Sequence, residues 1–336
     1  MVAATRLFGA TILLAALVGM VAAPWLAPHP GDQQFRDYLY APPMRVRVID
    51  ADGWWRAPFV HRWRLADRVM RTFDEDRSER YPLRWFVDGR VVGLDPAAGQ
   101  PLMLLGGDGL GRDLLSRLLL GARTTRGVAL LAAVGAVLIG VVIGGVAGYA
   151  GGIVDETLMR LADLVLVLPT IYAVLPLVLS TRAVFWLLVG LLTVVAWPYV
   201  ARGVRAIVAA ERGREYTLAA IAVGAGPLRI LATHLLPATR GFLVVQATLL
   251  LPAFILAEAR LSYIGLGFAP PAASWGVMLG EASNISAIAD FPWLLSPAAA
   301  IIAVVFAVNV VSGAGTRGGA LGAITPSRRS VANTPT

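Results

Sequence analysis

Cysteine is absent from this 336-residue chain, and so is lysine: all 29 basic residues are arginine. The first absence excludes disulfides and thiolate metal sites. The second excludes a P-loop, whose G-x-x-x-x-G-K-[ST] pattern needs a lysine on the phosphates. Histidine is scarce. His29, His61 and His234 lie far apart, and none has a metal-motif partner at short spacing. Charge is also short, at 15% of residues, against about 25% in a soluble domain. Apolar residues make up 57% of the chain. They fall in long runs separated by charged segments, the pattern of a polytopic membrane protein. The net charge of +8 does not call for nucleic acid, because arginines at the ends of membrane spans fix topology.

The first apolar run, Leu7 to about Leu26, follows Arg6 alone. Small residues near Ala22 and Ala23 leave a cleaved signal peptide open. The length suits a spanning helix of about 20 residues, and a retained N-terminal transmembrane helix over 1–27 is the preferred reading. Five further spans are expected near Gly127–Gly148, Leu158–Leu179, Val184–Tyr199, Phe242–Leu261 and Trp293–Val311. The expected fold is therefore all-α, with about six transmembrane helices and both termini on one side. Arg202, Arg205, Arg212, Arg214, Arg229 and Arg240 cluster between spans four and five, whereas the last connection has no arginine after Arg260. The positive-inside rule then places 202–240, both termini and the tail 313–336 in the cytoplasm. The polar insert 28–105 faces outward, and 106–312 forms the main transmembrane domain.

Within the insert, "RWFVDGRVV" has apolar residues flanking Asp88-Gly89, which predicts a β-hairpin with a type I′ turn. "DRVMRTFDEDRSER" reads as a short surface helix. Trp54, Trp55, Trp63 and Trp85 are expected either to form the small core of the insert or to rest at the membrane interface.

No stretch reads as catalytic. "GGDGLGRD" (106–113) is glycine-rich but lacks the strand–loop–helix context of a dinucleotide loop. Its glycines read as turns, with Asp108 and Asp113 capping the next helix. Asp163, one turn after Arg160, and the pair Glu258 and Arg260 lie toward span ends. There, pairing or snorkelling outweighs a proton-relay role.

"EYTLAAIAVGAGPLRILATHLLPA" (215–238) is too broken to span a bilayer and too apolar for a solvated loop. Tyr216, Ala219, Ala220 and Val223 fall on one helical stripe. Gly224 and Gly226-Pro227 bend the chain, and a second helix runs from Pro227 to His234 before Leu236-Pro237 breaks it. Such a pair of short helices either lies on lipid or fits a groove on a cytoplasmic partner.

This segment resembles the cytoplasmic docking loop of ABC importer permeases, whose pattern runs E-A-A, three residues, G, then nine more before I-x-L-P. Ala219, Ala220, Gly224, Leu236 and Pro237 match. Leu218 stands where the glutamate is expected. His234 and Glu215 resemble the oligopeptide/dipeptide/nickel branch. "LGGDGLGRDLLSRLLLGAR" (105–123), "GYAGGIVDETLMRLADLVLVLP" (148–169) and "LSYIGLGFAPPAASWGVML" (261–279) resemble other signatures of that branch, in order. The tail "SGAGTRGGALG" departs from the family ending. The resemblance implies a permease working as a heterodimer with a related permease, two cytoplasmic ATPase subunits and an external solute-binding protein. It also implies that Glu215, Ala219, Ala220, Gly224, His234, Leu236 and Pro237 form the ATPase-docking loop, with no cofactor, metal or covalent chemistry. A secondary carrier and a non-transporting membrane scaffold are the rival readings. The lack of a mid-membrane acidic cluster argues against the first, and the docking pattern argues against both.

Overall fold

The structure, a computed structural model, describes residues 17–50, 53–95, 99–167 and 183–322, with residues 11 and 14. Among these, four helices are long and apolar enough to cross a membrane: Leu114–Ala150, Val184–Arg212, Arg240–Tyr263 and the stretch Pro292–Val311. Two expected spans fall partly outside the described residues. Of Leu7–Leu26, helix α1 is described over Leu17–Leu26. Of Leu158–Leu179, only the part within α3 (Gly152–Val167) is described.

Helix α2 (Leu114–Ala150) starts at Asp113, whose carboxylate accepts the backbone N–H groups of Leu115 and Ser116. This cap is as expected and satisfies two of the helix's orphan donors. At 37 residues the helix runs about 55 Å, so it extends well beyond a hydrocarbon layer of about 30 Å. It packs along α4 (Val184–Arg212) and crosses α8 (Arg240–Tyr263). Val128, Ala129, Ala132 and Ala136 meet Leu188, Leu192, Ala196 and Val200 in one core. Arg205 pairs with Asp155 of α3 (Nε–Oδ1 2.8 Å), and Arg202 pairs with Asp163. Arg160 pairs within its own helix with Glu156 at 2.6 Å. The charges of α3 are thus held in ion pairs.

The short helices α5 (Glu215–Ala222), α6 (Pro227–Ile230) and α7 (Leu236–Ala238) join α4 to α8. Helices α9 (Trp275–Glu281), α10 (Ile285–Asp290) and α11 (Ser296–Gly322) complete the helical part.

The insert corrects the all-α expectation locally. It carries β1 (Arg47–Ile49), β2 (Trp55–Asp67) and β3 (Thr72–Pro82) in one antiparallel sheet, and β4 (Arg84–Val87) with β5 (Arg90–Gly93) in a second. The β4–β5 hairpin is as expected. Asp88 and Gly89 both have positive φ, 49° and 75°, as a type I′ turn requires. The surface helix expected around 67–80 is instead the β2–β3 hairpin. Opposite charges face each other across it, Arg62 against Asp76 and Arg64 against Asp74, and such cross-strand pairs stabilise strands. The Asp67 side chain accepts the N–H groups of Val69 and Met70 and closes the turn. The core of the insert is Tyr38, Met44, Val60, Leu94, Leu102 and Met103, with Trp63 packed against it. Trp54, Trp55 and Trp85 are exposed, so they do not form that core.

Candidate functional site

The docking candidate is built from a helix stop, a bend and a restart. Helix α5 ends in a Schellman motif: Gly224 N–H bonds Ile221 carbonyl at 2.9 Å, and Ala225 N–H bonds Ala220 carbonyl at 3.0 Å. Gly224 has φ +82°, where a side chain is strained. Gly226 is then the N-cap of α6, with Pro227 at its first position. The bend falls where the sequence predicts it. A Cβ at Gly224 would meet nothing within 4 Å, so backbone conformation selects the glycine, not crowding inside this chain.

One side of the segment anchors it. Thr217 is fully buried and donates its hydroxyl to the Glu211 carbonyl at 2.9 Å. Ala220, Ile230 and Leu235 join the helical core. Gly145 of α2 leaves room for Leu231 and Leu236 against the spanning helices. The opposite side is open and apolar: Leu218, Ile221, Val223 and Leu228 are exposed. The expected stripe of Tyr216, Ala219, Ala220 and Val223 therefore splits. Ala220 faces in, while Ala219 and Val223 face out.

Tyr216 and His234 are brought together across the bend, with ring centroids 6.3 Å apart and planes 21° from parallel. The Tyr216 hydroxyl donates to the Glu211 carboxylate at 2.6 Å, which holds the phenol pKa above its usual value. Glu215 is exposed in the first turn of α5. The expected break at Leu236-Pro237 is not there. A π turn over Leu231–Leu235 leads into α7, and Leu235, Leu236 and Thr239 all stay right-handed helical. Pro237 stands in the first turn of α7, where its fixed φ suits the helix.

Two buried polar clusters brace the opposite end of the bundle. Asp108 is not a cap. Its Oδ2 accepts Arg112 Nε at 2.7 Å and Arg117 Nη1 at 2.6 Å, and both arginines also reach Glu281 of α9 at 2.8 Å. Two cations and two carboxylates thus neutralise one another. The second cluster surrounds Glu258 of α8, which is fully buried. Ser262 donates to it at 2.7 Å, and the hydroxyls of Thr125 and Ser274 face the same carboxyl. Each hydroxyl also accepts a backbone N–H, from Phe268, Trp275 and Val277 respectively. The segment 262–277 is thereby pinned to α2 and α8. Hydropathy places Glu258 near a span end but carries no sign of these long-range partners.

Residues 140–317 match the family described as binding-protein-dependent transport system inner membrane component. The chain is 38% identical over 208 residues to the oligopeptide transport system permease protein OppC of Bacillus subtilis, covering 61% of this chain and 67% of that one. It is 39% identical over 184 residues to the nickel transport system permease protein NikC of Escherichia coli, covering 53% and 64%. A longer match, 32% over 290 residues, covers 86% of this chain and 78% of the di/tripeptide transport system permease protein DppC of Pseudomonas aeruginosa.

Proposed function

Because the chain belongs to the binding-protein-dependent inner-membrane permeases, it is a multi-pass ABC permease of the oligopeptide/dipeptide/nickel type and not an enzyme, and we propose that it imports short peptides. In this reading it pairs with a homologous permease. Two cytoplasmic ATPase subunits bind the 215–237 segment, and an external solute-binding protein delivers substrate to the side of the insert. About six spans, with both termini cytoplasmic, complete the topology. Transport proceeds by alternating access: each state binds the partners differently, and ATP-driven closure of the ATPases shifts the population.

The observation that carries this reading is the docking candidate's two-sidedness. An anchored face locks it to α2 and α4, while Leu218, Ile221, Val223 and Leu228 present an apolar knob of the kind that fits a partner groove. The lipid-lying alternative predicts that more apolar surface at the bend is harmless.

Gly224→Leu separates the two. Leucine at φ +82° costs about 1–2 kcal/mol of backbone strain and fills space at the bend. We expect ATPase co-purification and uptake to fall at least tenfold while the permease still inserts. Gly224→Asn, which tolerates the left-handed region, retains part of both. Wild-type ATPase recovery and uptake in Gly224→Leu would sink the docking assignment.

A further inference from the structure

Where the chain leaves α1 it lies beside the β4–β5 hairpin, and the two enclose a half-open cavity of about 510 Å³. That size lies within the range of small-molecule sites, about 300–1,000 Å³. His29, Phe35, Asp88, Arg90, Gln100 and Leu102 are among its lining residues.

Three polar groups stand on this wall: Gln100, His29 and Arg90. Gln100 is 8% exposed, and neither its Oε1 nor its Nε2 has a partner. Buried amides in native folds are almost always paired, so one left open calls for a missing partner. His29 accepts the Leu102 N–H at Nε2, 3.0 Å away. Its neutral ring therefore carries the hydrogen on Nδ1, which makes that nitrogen a donor. Burial, then the nearby Arg90 charge, lowers the His29 pKa to about 4 and keeps the ring neutral at pH 7. Among the described residues Arg90 stands in no ion pair, and Arg84 takes Asp95 at 2.8 Å. The wall thus offers a guanidinium, an imidazole N–H and an amide, with the Asp88 carboxylate at the rim.

We propose that this cavity binds a small zwitterion bearing a free carboxylate, held by Arg90 and the His29 Nδ1–H, with its ammonium group on Asp88. Gln100 turns its amide toward the ligand and pairs with a peptide group. A guanidinium matches a carboxylate in a two-pronged hydrogen bond, which favours the carboxylate over a neutral amide. A short peptide uses all four groups, and a free amino acid uses all but Gln100. The proposal relies on the transport reading only for placing the cavity outside the cytoplasm.

Calorimetry on the full-length permease in lipid nanodiscs, without ATPases or binding protein, tests it. The probes are dialanine, alanine, dialanine amide and N-acetyl-dialanine. Dialanine should bind saturably. Its amide and the Arg90→Gln variant should each weaken binding about tenfold or more, the scale of losing a charge-assisted hydrogen bond. Asp88→Asn, at an exposed turn that asparagine tolerates, should abolish the preference for dialanine over its N-acetyl form. Alanine binding as tightly as dialanine would assign the site to amino acids. Absence of saturable binding overturns the proposal, as does equal binding of dialanine and its amide, or unchanged affinity in both variants. Peptide uptake by the assembled transporter is scored separately. Its absence would sink the import reading while leaving the binding result intact.

Discussion

Arg117 is fully buried, with Asp108 at 2.6 Å and Glu281 at 2.8 Å. Removing one partner from a buried ion cluster leaves an uncompensated charge and costs about 3–5 kcal/mol. Arg117→Met should therefore lower stability on that scale in denaturant unfolding of the purified permease. Adding Glu281→Gln should cost less than the Glu281→Gln change does alone, because the stranded acid is then gone. Additive effects in this cycle would mean that the two groups do not interact. The sequence displays Asp108 and Arg117 within 105–123, and Glu281 two positions past 261–279, but not their meeting: Arg117 and Glu281 lie 164 positions apart. Asp113 was legible because a cap acts within three residues, whereas Asp108, read the same way, is committed to arginines instead.

At the scale of elements, α2 and α4 pack in close contact. Gly140, Gly144 and Gly148 stand four apart and face Val200, Ala201, Val204 and Val208. Small residues at this spacing let helix backbones approach closely where no water drives association. A Cβ on Gly144 would collide with the Ala201 carbonyl oxygen. Gly144→Ile should thus force the helices apart, raising protease sensitivity and reducing detergent-stable yield, whereas Gly190→Ile, with nothing within 4 Å, should leave both unchanged. Comparable proteolysis of the two variants would refute the close contact. Hydropathy alone hides this stripe, since glycine in an apolar run changes the mean little. The β4–β5 hairpin was legible because Asp-Gly sets a turn locally. The β2–β3 hairpin was not, because its alternation is written in arginine and aspartate and makes sense only once the strands are paired. At 215–238 the bend was legible from Gly224 and Gly226-Pro227. The continuation past Leu236-Pro237 was misread, because proline ends a helix in its interior but not in its first turn.

At the scale of the whole molecule, the expected topology puts the insert and the 215–237 segment on opposite sides of the membrane. With no natural cysteine, single cysteines at Ser78 and Val223, both exposed, give a clean assay. In cells stripped of their outer membrane, an impermeant thiol reagent should label the first and not the second. The reverse pattern would invert the topology. From Pro227 to Tyr263 the chain passes through α6, a π turn, α7 and α8 without an extended residue between them. A flexible loop there would absorb a push as local bending, like backlash in a gear. Here there is no slack to take up. Any displacement of Leu228, the knob residue that lies beyond the bend on α6, must either break helical hydrogen bonds or turn α8. Because Glu258 sits on α8 and pins the segment 262–277, that rotation would arrive at the opposite end of the bundle as a change in the fit of its rim.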